Sequence, residues 1–184
     1  KAEMTSFHGP VGYSTWTDFT KKYFTETLFD KKETEMLAPA HSDFYAINKG
    51  VAQGELIDGN LTVFSQLVGT PYLPDMQGKL LFMEDINEEP YRIDRMLMQL
   101  KLADILSEVN GIIIGECRKC DPEEPEKSLS LKQVLQDHLS NLNIPVFYGA
   151  KFGHIKDKWT LPIGIKAEMN ADIGSLKLLE PAVV

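Results

Sequence analysis

The chain has 184 residues, 43% of them apolar and 25% charged, with 19 basic against 27 acidic side chains for a net charge of −8. That length fits one domain, or one domain with an extra arm, and the apolar share can bury a core. No apolar run reaches the ~18–20 residues of a membrane-spanning helix, and an acidic balance without a Lys/Arg stripe argues against nucleic acid as the main partner. Cys117 and Cys120 are the only cysteines, so no disulfide framework supports the fold and a reducing cytoplasm suits it. Residues 1–7 hold no apolar segment of signal-peptide length. Residue 1 is Lys, from which a piece of a longer protein is expected.

The first block, residues 1–45, opens on a turn-forming His8-Gly9-Pro10. A helix follows, with Ser14 as its cap and Trp16, Phe19, Tyr23, Phe24 and Leu28 on one face. Polar residues and breakers from Lys31 to Ser42 read as a linker. The second block, 46–184, alternates strand and helix patterns. Leu80-Leu81-Phe82-Met83 is a short buried-strand run, and Asn87-Glu88-Glu89-Pro90 is a helix start with a cap-type residue, two acids and an early proline. Ile93, Met96, Leu97 and Leu100 continue that helix. Gly111 to Gly115 is a second buried strand, 130–142 a helix with Leu131, Val134, Leu135, Leu139 and Leu142 as its stripe, and 144–149 a third strand. Shorter strands around Pro162-Ile163-Gly164 and Ile173-Gly174-Ser175 are expected to run antiparallel. The order predicts an α/β fold with a mixed sheet.

Glu84-Asp85 follows the first strand directly, and His154, in Phe152-Gly153-His154, follows the third. Ligands and reacting groups gather at the carboxyl ends of strands in open α/β sheets. A carboxylate accepting the Nδ1 proton of an imidazole fixes its tautomer and leaves Nε2 free as a base. The plainer readings are two acids decorating a helix start and a loop histidine with an ordinary partner. Of the other histidines, His138 is expected on a mostly solvated helix, His41 in the polar linker and His8 beside a turn. A base and its orienter need a nucleophile. Ser14, Ser65, Ser107, Ser128, Ser130, Ser140 and Ser175 all lack a glycine-flanked strand-to-helix turn. Cys117-Arg118-Lys119-Cys120 has no second pair of metal ligands. Glu84, Asp85, Glu88, Glu89 and Asp94 could face a hard cation, but a helix start explains most of them.

Phe7-His8-Gly9-Pro10, the run from Gly54 to Leu61, Gly69-Thr70-Pro71, Leu81-Phe82-Met83-Glu84-Asp85, the run from Tyr91 to Leu97, Phe152-Gly153-His154 and Leu161-Pro162-Ile163-Gly164 together resemble the C-terminal part of the LD-carboxypeptidases, serine peptidases that trim murein tetrapeptides. Asp58 departs from the family, which usually has a second glycine there. The resemblance implies a swivelling β/β/α-type domain preceded by a helical linker arm. Residues 1–45 would be the end of an upstream nucleophile domain plus that arm, and 46–184 the domain that carries the glutamate and histidine of a Ser-Glu-His triad. On that pattern the catalytic residues are Glu84 and His154, the serine lies on an absent N-terminal domain, and the fragment alone is inactive.

The same resemblance implies release of the terminal D-alanine from murein tetrapeptides in cytoplasmic cell-wall recycling, with no cofactor or metal, and a homodimer. Gly59 and Asn60 would shape the cleft wall. Arg92 and Arg95 are candidates for the substrate carboxylate by charge alone. Two alternatives stay open: a microcin-immunity-type peptidase of the same family, and a non-catalytic interaction module that kept the fold.

Overall fold

The computed structural model describes residues 4–30, 33–38, 43–57 and 59–183. In chain order the strands are β1 Ser6–His8, β2 Glu35–Leu37, β3 Tyr45–Asn48, β4 Val51–Ile57, β5 Leu80–Met83, β6 Gly111–Gly115, β7 Val146–Ala150, β8 Leu161–Ile163, β9 Lys166–Asn170 and β10 Ser175–Leu178. The helices are α1 Asp18–Leu28, α2 Leu61–Ser65, α3 Pro90–Leu102, α4 Ile105–Glu108 and α5 Leu131–Leu139, with a 3-10 turn at Pro125–Lys127. Eight strands form one mixed sheet in the order β2-β10-β9-β4-β5-β6-β7-β3, and β1 pairs separately with β8. The four central strands β4-β5-β6-β7 are parallel, while β3, β9, β10 and β2 join antiparallel. The expected α/β class with a mixed sheet is the one observed.

Side-chain alternation divides the apolar content between two cores. Leu81, Met83, Ile112, Ile114 and Val146 face α3 and α5, meeting Ile93, Leu97, Leu100, Val134, Leu135 and Leu139. Leu80, Phe82, Ile113 and Phe147 face the other way, toward Phe152, Trp159, Leu161, Met169, Leu176 and Tyr23. Strands β5 and β6 are buried at every position. That is why they read as continuous apolar runs rather than alternating ones. Pro90 occupies the first turn of α3 as expected, but Asn87 is not its cap. Asn87 sits at φ 58, and Glu89 precedes the helix without a side-chain capping bond. Ser130 caps α5 through a reciprocal box with Gln133.

Three further expectations need correction. α1 is capped by Thr17, not Ser14, and of its expected aromatic stripe only Tyr23 is buried, alongside Thr20 and Thr27. Trp16 and Phe24 instead pack on each other toward the surface, with ring centroids 4.9 Å apart. The described part of the expected linker contains β2, an edge strand whose Met36 is fully buried; His41 lies outside the described residues. His138 is buried, not solvated, and its Nε2 lies 2.8 Å from Asp94 Oδ1 between α5 and α3. Besides β2, the short or half-buried β1, β3, β4, β9, α2 and α4 were also invisible to periodicity.

Because Leu97 sits without solvent exposure at the centre of the α3 contact, Leu97→Ala is expected to cost about 2–5 kcal/mol. Denaturant unfolding measures this, and a loss below about 1 kcal/mol would contradict the packing described.

Candidate functional site

The carboxyl ends of β5, β6 and β7 lie side by side, and the parallel ladder runs on past the strands through bridges between Asn60 and Glu84 and between Ile86 and Arg118. Glu84 continues the face of Leu80 and Phe82, whereas Asp85 continues that of Leu81 and Met83. Two adjacent acids therefore point to opposite sides of the sheet. Asp85 is buried and tied to the start of α2. It accepts from Thr62 N at 2.9 Å, Thr62 Oγ1 at 2.8 Å, Ile86 N at 2.8 Å and the Asn60 amide at 3.2 Å. Its place is structural, at the positive end of a short helix.

Glu84 meets His154. The distance from Glu84 Oε2 to His154 Nδ1 is 2.8 Å; the Glu84 side chain has no solvent exposure, while that of His154 is 49% exposed. A carboxylate can only accept here, so Nδ1 carries the proton and Nε2 presents its lone pair. The second carboxylate oxygen, Oε1, accepts from Asn60 Nδ2 at 3.3 Å. Asn60 is also the N-cap of α2, its Oδ1 accepting from Val63 N at 3.0 Å. An aspartate could supply that cap, but it could not donate to two carboxylates. The Glu84 backbone is held on both sides, its N–H donating to Gly59 O and its carbonyl accepting from Leu61 N, each at 2.9 Å.

The loop 151–160 that carries His154 is irregular and is fixed from outside. Thr20 of α1 donates to Lys156 O and accepts from Lys158 N, both at 3.1 Å, and Thr27 donates to Thr160 O at 3.3 Å. These bonds explain why α1 buries threonines: they satisfy loop carbonyls and amides that no strand reaches. Lys151 pairs with Glu116, and Arg118 donates to the His154 carbonyl at 3.5 Å. Gly153 has φ +102, and a Cβ there would stand 2.5 Å from Glu84 Oε2. Only glycine lets the loop pass that close to the acid.

The structure thus brings Glu84, His154, Asn60 and Gly59 together and places Asp58 outside the described residues. Arg92 and Arg95 lie exposed on α3, Arg92 beside Glu88 at 3.7 Å and Arg95 over the Tyr91 ring. Cys117 is half-buried and Cys120 buried. A hydrogen bond from Cys117 to Cys120, with burial, pushes the Cys117 thiol well above its ordinary range. That makes it a poor nucleophile. Among the described residues no group of three or more His, Cys, Asp or Glu side chains could hold a metal ion. No hydrogen bond joins His154 Nε2 to a serine among the described residues, and the hydroxyls of Ser65, Ser107 and Ser128 donate to local carbonyls.

His8 is the residue that sequence reasoning missed. Strand β1 pairs it with Leu161 of β8 and delivers its ring edge-on to Phe82 and Phe152, at centroid distances of 5.7 and 5.9 Å. Gly59 makes room for it, since a Cβ there would lie 2.9 Å from His8 Nδ1. The one available signal was its place in Phe7-His8-Gly9-Pro10. Burial lowers the His8 pKa below the usual 6.5; Glu84 opposes that shift, and His154 and Lys158 add to it. The folded chain therefore keeps His8 neutral where the unfolded chain has begun to take up a proton. Stability from this group is present above about pH 6.5 and is lost as pH falls toward the lowered value. His8→Phe is expected to flatten the decline in unfolding free energy between about pH 7 and 5. Equal slopes for both proteins would contradict it.

The comparisons identify the family. The family model for the LD-carboxypeptidase C-terminal domain matches residues 53–169. A probable murein peptide carboxypeptidase of Bacillus subtilis is 42% identical over 175 residues, covering 91% of this chain and 53% of the relative. The crystal structure of muramoyltetrapeptide carboxypeptidase from Oxalobacter formigenes superposes with a TM-score of 0.79 at 33% identity, covering 95% of this chain and 60% of that one. The microcin C7 self-immunity protein MccF of Escherichia coli is 29% identical over 132 residues, 71% of this chain and 38% of the relative. The chain thus spans little more than half the length of the first two. By its family match and these identities, the chain belongs to the LD-carboxypeptidase family, with residues 53–169 matching that family's C-terminal domain.

Proposed function

We propose that this chain is the acid–base half of a serine LD-carboxypeptidase that releases the terminal D-alanine of murein tetrapeptides in the cytoplasm. The observation that carries the reading is the 2.8 Å contact between a fully buried carboxylate and a half-exposed imidazole. In this reading the serine and the oxyanion donors belong to an upstream domain, and the coverage of 53% and 60% of the two relatives' lengths leaves room for one. Residues 1–45 form the junction with that domain, and residues 46–184 carry the base.

As the serine Oγ attacks the scissile carbonyl, His154 Nε2 takes the hydroxyl proton, and Glu84 stabilises the imidazolium through Nδ1–H. The C–N bond breaks as the imidazolium gives its proton to the departing amine of D-alanine. Water then enters, loses a proton to the same Nε2 and attacks the acyl-serine. The hydrolysed acid leaves and the serine is reprotonated. The asymmetry in exposure suits these roles. Glu84 keeps its charge out of water, where it acts most strongly on the imidazole, while Nε2 stays reachable from the side where a partner domain would close. A decayed interaction module has no physical need to keep a buried carboxylate saturated by His154 and Asn60.

The test uses a polypeptide that carries this chain behind its serine domain and follows D-alanine release from murein tetrapeptide. His154→Ala is expected to lower turnover by about 10²–10⁴-fold. No release by the unmutated protein would overturn the substrate assignment, and cleavage of a peptidyl-nucleotide instead would favour the immunity-type reading. A fall smaller than about a hundredfold in His154→Ala would remove it as the base. The 184-residue chain alone is expected to hydrolyse nothing.

A further inference from the structure

Building on the assignment of Glu84 and His154 as an acid–base pair, we propose that His8 is a positioning residue of that pair, a ring wedged among Gly59, Phe82 and Phe152 that keeps water from the Glu84 carboxylate so that its charge acts undivided on His154. Two of the three segments that His8 touches each carry one member of the pair, and the third is bonded to the Glu84 backbone. Gly59 accepts the Glu84 N–H, Phe82 precedes Glu84 by two positions on the same face of β5, and Phe152 precedes His154 by two in its loop. Phe82 and Phe152 themselves pack edge to face at 5.4 Å, so the three rings form one apolar wall. His154 leaves half its surface to solvent and cannot seal Glu84 alone, yet the Glu84 side chain is fully buried.

The groups that face His8 are Glu84 beyond β5 and His154 and Lys158 in the loop 151–160. Burial, His154 and Lys158 all oppose a charge on His8, and Glu84 alone favours one. Of the two rings, His154 is the one bonded to the carboxylate. Burial also lowers the Lys158 pKa, while Glu84 raises it, placing that ammonium within the same field. Removing the His8 ring would admit water beside Glu84 and weaken its hold on the imidazolium. An apolar ring of similar size would not.

The deciding measurement is the titration of the His154 imidazole in the 184-residue chain, followed by NMR of ¹⁵N-labelled histidine. In His8→Ala the His154 midpoint is expected to fall by about half a pH unit or more, and in His8→Phe to stay at the unmutated value. A folded His8→Ala with an unmoved midpoint would overturn the proposal. So would a rise in both variants, because His8 would then act by repelling charge rather than by excluding water. If Ala at this position prevents folding, His8→Asn replaces it and must show the same fall. In the serine-bearing protein, His8→Ala should lower kcat about tenfold with KM within about twofold, and Phe should restore it. A serine-bearing protein that releases no D-alanine would sink the peptidase reading, while the titration still decides the role of His8.

Discussion

A carboxylate taken wholly out of water must find partners or give up its charge, and the carboxyl edge of this sheet is organised around that requirement. Glu84 is sealed by sheet, loop and β1, and its oxygens are answered by an imidazole N–H and a carboxamide N–H. The backbone on either side is locked to Gly59 and Leu61. Every neighbouring feature can be traced to this demand. Gly153 is a glycine because the loop must pass over the carboxylate, and Asn60 must donate as well as accept. α1 carries threonines inward because the histidine's loop has no strand to satisfy it.

The parallel centre of the sheet makes the encounter possible. With β5, β6 and β7 running the same way, residues that follow β5 and β7 emerge at one edge although seventy positions separate Glu84 from His154 in the chain. The pleat then sorts the two adjacent acids. Glu84 is turned toward the loop, and Asp85 toward the first turn of α2, which it anchors through Thr62. One strand end thus supplies both a buried anion for chemistry and the fixture that orients the helix carrying Asn60.

The parts of this arrangement legible in the sequence are those where burial is uniform or a local signal is strong. The runs at 80–83 and 111–115 declared themselves because both faces are covered, and the stripe Leu131, Val134, Leu135 and Leu139 marked a helix. Glu84 and His154 were reachable through strand-end logic and motif register. What stayed hidden depended on contacts distant in sequence. The aromatic spacing of α1 suggested an apolar face, but the loop's need for hydrogen bonds selected Thr20 and Thr27. Met36 and His8 ride on three-residue strands that are stable only against β10 and β8, so no local pattern announces them. His138 looked solvated because its partner, Asp94, belongs to another helix.

The central claim is that Glu84 holds the Nδ1 proton of His154, and that proton can be observed directly. Proton NMR of the 184-residue chain should show the His154 Nδ1–H as a downfield resonance protected from exchange, absent in His154→Ala and moved upfield or lost in Glu84→Gln. A His154 ring protonated at Nε2 instead, or an Nδ1–H unchanged by Glu84→Gln, would contradict the account.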